Sequence, residues 1–197
     1  MEKEAKIMAY VAQYGYPAPR VEEISPDGSE LVMERIDGPT MLEVLSRRPW
    51  LLRRNAVVLA ALHERLHAIP GPEWLEPFVG GGDRVIHLDL HPLNVIVSPK
   101  GPVLIDWANA ARGAGPADVA LTWLLITAAE IPGGGVQAAV GRMVRGMFVR
   151  LFLAHFDLAL VRTALPAVGA WKCEDRNMRP AEVAAIRRLI ARESSRR

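Results

Sequence analysis

The chain has 197 residues, half of them apolar, and a formal net charge of +2, which indicates a folded protein with a packed core and excludes a disordered chain. Its single cysteine, Cys173, excludes an internal disulfide bond and suits a reducing compartment. Residues 1–6 do not form a signal peptide, and the longest apolar stretch, residues 119–129, is too short for a bilayer. We therefore predict a cytoplasmic protein without a membrane partner.

The first elements predicted are a helix and a hairpin. Apolar spacing predicts a helix over residues 2–14 that ends before Gly15. Its core face is expected to consist of Ile7, Met8, Val11 and Tyr14. The runs 20–24 and 31–36 flank the turn sequence at residues 25–28 and predict two antiparallel strands.

A break follows the second strand. Residues 37–39 read Asp-Gly-Pro, and Thr40 and Glu43 have the spacing of a capping box that starts a new helix. We expect a hinge here, between the remnant of a small N-terminal lobe, residues 1–38, and a larger lobe, residues 39–197.

The larger lobe is predicted to begin with helices and short strands and to end with helices alone. A helix is expected over residues 51–68. Strands are expected at residues 84–87, 94–97 and 102–106. Beyond Gly115 the chain is predicted to be helical, with breaks at residues 132–135, at residues 166–169 and at Pro180, which suits the first turn of a helix.

Residues 87–94, His-Leu-Asp-Leu-His-Pro-Leu-Asn, contain the pattern H-x-D-x-x-x-x-N, and Asp106 follows Asn94 by twelve residues. Phosphoryl transfer needs a carboxylate to accept a hydroxyl proton, and oxygen donors to hold Mg²⁺ against nucleotide phosphates. Because the predicted hairpin returns the chain, we expect Asn94 and Asp106 to lie beside Asp89. The pattern therefore favours Mg²⁺-dependent phosphoryl transfer.

Residues 85–125 resemble the catalytic segment of the aminoglycoside phosphotransferase and choline kinase family, whose usual form is H-G-D-x-H-x-x-N followed by I-D-W or I-D-F. The resemblance implies a protein-kinase-like α/β (α+β) fold, with short antiparallel strands in a reduced N-terminal lobe and a mainly helical C-terminal lobe. It implies transfer of the γ-phosphate of ATP or GTP to a hydroxyl of a small molecule. The implied roles are catalytic base for Asp89, Mg²⁺ ligands for Asn94 and Asp106, and structural support of the catalytic loop for His87 and Asp118.

The resemblance extends to the nucleotide site. It implies that Glu4 is the glutamate of the αC-like helix, and that backbone groups near Glu34 and Ile36 contact adenine. Two departures stand out: Leu88 replaces the usual glycine, with its side chain expected to point into the lobe, and neither a glycine-rich loop nor a strand lysine precedes Glu4. We therefore expect either a truncated gene product or a degenerate member of the family.

The reduced N-terminal lobe has a consequence for assembly. A two-stranded hairpin is marginally stable alone, and its unpaired edge can accept another strand. We therefore predict a homodimer formed through this edge, or a rearranged N-terminus that covers it.

Two alternatives remain open. His87, Asp89 and His91 could form a two-histidine, one-carboxylate centre of a metal hydrolase, although that would leave Asn94 and Asp106 unexplained. The missing lysine favours instead a pseudokinase-like protein that binds a nucleotide or metabolite without transferring phosphate, or that serves as an interaction scaffold.

Charge is unevenly distributed along the chain. Residues 1–110 carry 11 basic and 15 acidic side chains, whereas residues 111–197 carry 13 basic and 7 acidic ones. A polycationic acceptor needs an acidic pocket, so we expect a neutral or anionic hydroxyl compound instead. Arg-rich helix faces are more often solvated than bound to nucleic acid, and we predict no nucleic-acid partner.

Overall fold

The structure of the chain is a computed structural model that describes residues 1–131 and 133–195. Helices and short antiparallel strands are mixed in it, which confirms the predicted α/β class. The chain packs as two compact units, one from Met1 to Gly115 and the other from Pro116 onward. The lobe boundary expected between residues 38 and 39 stays a prediction.

The first unit begins with α1 (Glu2–Gln13), as predicted. Ile7, Met8 and Val11 are buried on its core face. The placement of Tyr14 on that face is wrong, because Tyr14 is 52% exposed. The helix ends one residue before it, and Gly15 then adopts a φ of 71° that turns the chain away.

The predicted hairpin forms from β1 (Val21–Ile24) and β2 (Leu31–Met33). In its turn, hydrogen bonds from Ser25 and Ser29 lower the pKa of Asp27 to about 2. The second strand is three residues shorter than predicted. Its last backbone bond runs from Glu34 N–H to the Arg20 carbonyl at 2.7 Å, and Pro19 has no N–H with which to extend the ladder.

The capping box at Thr40 is confirmed and starts α2 (Met41–Arg47). Thr40 Oγ1 accepts a bond from Glu43 N–H at 3.2 Å, and Glu43 Oε2 accepts one from Thr40 N–H at 2.8 Å. These bonds to Thr40 hold the pKa of the Glu43 carboxyl below its usual value. A 3₁₀ turn at Pro49–Leu51 leads into α3 (Leu52–His67), close to the helix expected over residues 51–68.

Two small antiparallel pairs complete the first unit. The predicted hairpin consists of β4 (Val95–Ser98) and β5 (Gly101–Leu104). The strand β3 (Arg84–Ile86) pairs with β6 (Ala111–Gly113), which the sequence did not predict. The β6 segment reads Ala-Arg-Gly, which has little intrinsic β-propensity, so its strand conformation depends on the pairing with β3.

The second unit is helical and contains most of α4 (Gly115–Ala128), then α5 (Gly135–Leu153), α6 (Leu158–Cys173) and α7 (Pro180–Ser194). Pro180 starts α7, as predicted. Of the break expected at residues 132–135, Pro132 lies outside the described residues.

The break predicted at residues 166–169 is wrong, because Pro166 lies inside α6. The chain turns instead at residues 154–157, where the Asp157 carboxylate accepts bonds from the N–H groups of Ala159 and Leu160 and caps α6. Within the described ranges no single helix is long and apolar enough to cross a bilayer; α5 and α6 meet that criterion only as a pair, bent by 116°.

Candidate active site

The loop after β3 carries the predicted motif and is anchored by buried side chains. His87 is fully buried, and its ring meets the ring of Trp107 edge-on at 4.8 Å. Trp107 is also fully buried, and its indole N–H donates to the Leu104 carbonyl at 3.0 Å. These contacts hold the loop against the residues that follow Asp106; support of the catalytic loop by His87 stays a prediction.

Leu88 has a φ of 59°, in the left-handed region that favours glycine. Its side chain is only 1% exposed, so the expectation that it points inward is confirmed. The left-handed backbone costs about 1–2 kcal/mol, whereas burying a leucine side chain contributes about 1.5–3 kcal/mol. Burial therefore offsets the strain and explains how leucine can occupy this position.

Two side chains hold the Asp89 carboxylate, which is 17% exposed. Asn94 Nδ2 donates to Asp89 Oδ2 at 2.9 Å, as the motif spacing led us to expect. His91 Nε2 lies 3.3 Å from Asp89 Oδ1. Because His91 Nδ1 accepts a bond from the N–H of Leu93 at 3.3 Å, the ring proton of neutral His91 lies on Nε2 and is donated to Asp89. Sequence reasoning missed this second contact, for which the signal was a histidine two residues after the aspartate.

The β4–β5 hairpin brings Asp106 next to Asn94. Val95 pairs with Leu104, and one step further out the N–H of Ile105 donates to the Asn94 carbonyl at 2.9 Å. Asp106 follows immediately, exposed and with a φ of 64°. The three predicted residues are therefore gathered at the open end of one hairpin, although their roles stay predictions.

The donor atoms at this end of the hairpin fit a hard divalent cation. The Asn94 amide nitrogen donates to the backbone carbonyl and to the carboxylate of Asp89. The amide oxygen of Asn94 is left to bind a cation. Asp106 adds an exposed carboxylate. Mg²⁺ is commonly held by one or two protein oxygens together with substrate phosphates, so this pair suits it.

The alternative prediction, a metal hydrolase centre formed by His87, Asp89 and His91, is wrong. Among residues 1–131 and 133–195, no group of three or more His, Cys, Asp or Glu side chains could hold a metal ion. His87 is packed against Trp107, and both ring nitrogens of His91 are already engaged by Leu93 and Asp89.

Glu4 reaches the same loop from α1. The backbone N–H of Trp107, directly after Asp106, donates to Glu4 Oε1 at 3.2 Å. No lysine or arginine nitrogen lies within 4 Å of the Glu4 carboxylate in the part of the chain that the structure describes. Glu4 thus fixes the backbone beside the candidate metal ligand.

Solved structures share this architecture. An aminoglycoside-3'-phosphotransferase of type VIII matches with a TM-score of 0.54 and 20% identity, over 96% of this chain and 78% of that one. A putative aminoglycoside phosphotransferase from Ralstonia eutropha JMP134 matches with a TM-score of 0.53 and 14% identity, over 98% and 80%. Choline kinase LicA from Streptococcus pneumoniae matches with a TM-score of 0.52 and 14% identity, over 98% and 80%.

The chain has the kinase-like fold of these enzymes. The predicted resemblance is confirmed at the level of the fold. No family model matches the sequence, and no curated protein sequence matches it either.

The residues after β2 are those predicted to form the hinge. The N–H of Glu34 donates to the Arg20 carbonyl, so it is not available to a ligand. The Glu34 carbonyl and the Ile36 N–H are the groups that could face adenine. Asp118 is fully buried in the first turn of α4. Adenine contact by the hinge and support of the catalytic loop by Asp118 both stay predictions.

We expect the Glu4→Ala variant to lose about 1–2 kcal/mol of unfolding free energy, because the partly buried Trp107 N–H would lose its charged acceptor. Glu4→Gln is the matched control, since its amide oxygen can still accept this bond. Urea unfolding of the three proteins measures the effect. Equal stability of the Ala and Gln variants would show that the contact contributes nothing.

Proposed function

We propose that the chain transfers the γ-phosphate of ATP or GTP to a hydroxyl group of a small molecule. The observation that carries the proposal is the gathering of Asp89, Asn94 and Asp106 at the open end of the β4–β5 hairpin. A kinase-like fold supports it.

Asp89 is the proposed general base. The bonds from Asn94 and His91 hold both of its oxygens in place. An acceptor hydroxyl that donates to this carboxylate would be oriented for attack and would pass its proton to Asp89 as the new bond to phosphorus forms. Because both oxygens are held before the acceptor arrives, little reorganisation is needed during the reaction.

Asn94 and Asp106 are the proposed Mg²⁺ ligands. Bound Mg²⁺ would neutralise charge on the phosphate oxygens. The chain contributes the Asn94 amide oxygen, oriented by the bond from its nitrogen to Asp89, and the Asp106 carboxylate. The Trp107 N–H bond to Glu4 fixes the backbone directly after Asp106. The hinge carbonyl of Glu34 and the N–H of Ile36 would receive the nucleotide base.

Calorimetric titration with ATP tests the proposal, with and without Mg²⁺, followed by measurement of ATP turnover in the presence of a panel of hydroxyl compounds. We expect binding that requires Mg²⁺. No binding under either condition would overturn the proposal.

A second candidate function is nucleotide binding without transfer. It is favoured by one observation: Glu4, which in active kinases pairs with the phosphate-binding lysine, is instead bonded to the Trp107 N–H. Mg²⁺-dependent ATP binding without turnover of any acceptor would support this reading.

The remaining predictions concern partners and location. We propose that the unpaired edge of the β1–β2 hairpin joins a second copy of the chain, since the sheet has two strands among the described residues and Val32 is 47% exposed. Analytical ultracentrifugation tests this, and a monomer at all concentrations would contradict it. The cytoplasmic location and the lack of a nucleic-acid partner stay predictions.

A further inference from the structure

The second unit contains a cavity of about 640 Å³ that no part of the proposed function uses. It is lined by residues of α4, α5, α6 and α7 and by the turn between α5 and α6. Its most unusual feature is its charge. Among the described residues, the lining includes five arginines and a single acidic residue, Glu193; the arginines are Arg142, Arg145, Arg150, Arg162 and Arg192.

Two of these arginines share the one carboxylate. Arg162 Nε lies 3.0 Å from Glu193 Oε2, and Arg192 Nε lies 3.2 Å from Glu193 Oε1. The Glu193 side chain is only 2% exposed. One carboxylate therefore faces two guanidinium groups.

The other three arginines lie on α5 and have no carboxylate partner within the described ranges of the chain. Their positions, 142, 145 and 150, fall on one helical face. Arg145 Nη1 donates to the Ala129 carbonyl at 2.6 Å, which orients the guanidinium without neutralising it. Burial, and then the positive charge of Arg142, lower the pKa of Arg145. The cavity therefore concentrates positive charge that the described residues do not balance.

The rest of the wall is apolar. Trp123 and Leu153, both buried, and the half-buried Phe156 line the same space. A volume of this size suits a small molecule, because ligand pockets typically measure about 300–1,000 Å³. The combination of guanidinium forks and an apolar wall is the chemistry that recognises phosphate or carboxylate groups on an organic framework.

We propose that this cavity binds a small organic molecule carrying at least two phosphate or carboxylate groups. The arginines on α5 take the anionic groups, and the apolar wall takes the framework between them. The same charge disfavours polycationic ligands. The proposal does not depend on phosphoryl transfer at the β4–β5 hairpin.

Calorimetric titration of the full chain tests the proposal, with pyrophosphate and citrate as probes and without Mg²⁺. We expect both probes to bind at 150 mM salt, and the double variant Arg142→Gln, Arg145→Gln to bind them about tenfold or more weakly, since charge-assisted bonds are lost. The matched control is Arg187→Gln, Arg188→Gln, which removes the same charge from exposed positions of α7 and should leave affinity unchanged.

Melting temperatures of the variants distinguish a specific loss of binding from misfolding. Without probe, the melting temperature should stay close to that of the unmodified chain, because relief of the repulsion between Arg142 and Arg145 offsets the lost bond from Arg145 to the Ala129 carbonyl. With citrate, the unmodified chain should be stabilised and the double variant should not. The single variant Arg150→Gln, at an exposed position, should show the same loss of binding if the double variant does not fold.

Three outcomes would overturn the proposal. The probes could fail to bind, or the α7 control could weaken binding as much as the cavity variant, which would indicate general electrostatic attraction. Alternatively, Asp106→Ala could abolish probe binding, which would place the probes at the hairpin site. Retained probe binding in Asp106→Ala, together with lost ATP binding, would separate the two sites.

Discussion

The Asp89→Asn variant is expected to transfer phosphate about 10²–10⁴-fold more slowly than the unmodified chain, while still binding Mg²⁺ and ATP. The amide cannot accept the acceptor's proton. In either orientation of the new amide, its nitrogen would face another donor, Asn94 Nδ2 or His91 Nε2. We therefore expect the unfolding free energy to fall by about 1–2 kcal/mol, with the protein still folded. Steady-state turnover, ATP titration and urea unfolding measure these three quantities separately.

The matched control is Asp83→Asn, which makes the same chemical change where the side chain is 83% exposed and paired with Arg84. It should leave turnover unchanged. Unaltered transfer in Asp89→Asn would remove Asp89 from the role of base. Loss of both turnover and ATP binding in a folded Asp89→Asn protein would show that its role is in binding.

The Asp106→Ala variant is expected to bind ATP about a hundredfold or more weakly in the presence of Mg²⁺, because even outer-shell partners of a metal site contribute about 10–100-fold to affinity. Without Mg²⁺ the variant and the unmodified chain should bind ATP equally. Calorimetry under both conditions measures the difference. Asp106 is exposed, so the change leaves no cavity in the core.

Asp83→Ala serves as the control for this experiment, with the same truncation at another exposed aspartate. The diagnostic quantity is the Mg²⁺ dependence of binding. If Asp106→Ala weakened ATP binding equally with and without Mg²⁺, Asp106 would contact the nucleotide or shape the loop, and its assignment as a metal ligand would be wrong.

The candidate site could be predicted because local sequence determines most of it. Asp89 and Asn94 are five residues apart in one loop, and a tight hairpin returns Asp106 to Asn94. Turn residues and apolar strands mark such a hairpin clearly. The capping box at Thr40 was predictable for the same reason, since all its contacts lie within three residues.

Several features that sequence alone missed depend on distant partners. The Glu4 contact joins residues 103 positions apart. The strand β6 forms because β3 lies beside it, against the weak β-propensity of its own residues. Local propensity also led to a wrong break near Pro166, because α6 includes that proline without ending. The chain turns instead between the end of α5 and Asp157, which caps α6. The five arginines that line the cavity of the second unit lie on three helices, α5, α6 and α7, so only the fold shows that they share one cavity.

Asn94 pairs with Ile105, the residue before Asp106, so the position of Asp106 depends on the number of residues in this hairpin. It depends much less on which residues form the tip. Exchanging residues at its tip, such as Pro99 and Lys100, leaves the ladder intact because both are exposed and neither pairs across it. Deleting one residue between positions 95 and 104 would shift the ladder and turn each following side chain to the opposite face. Substitutions at the tip should therefore be tolerated, whereas insertions or deletions in the hairpin should displace Asp106 from Asn94. The exposed tip also offers an attachment point for a reporter dye.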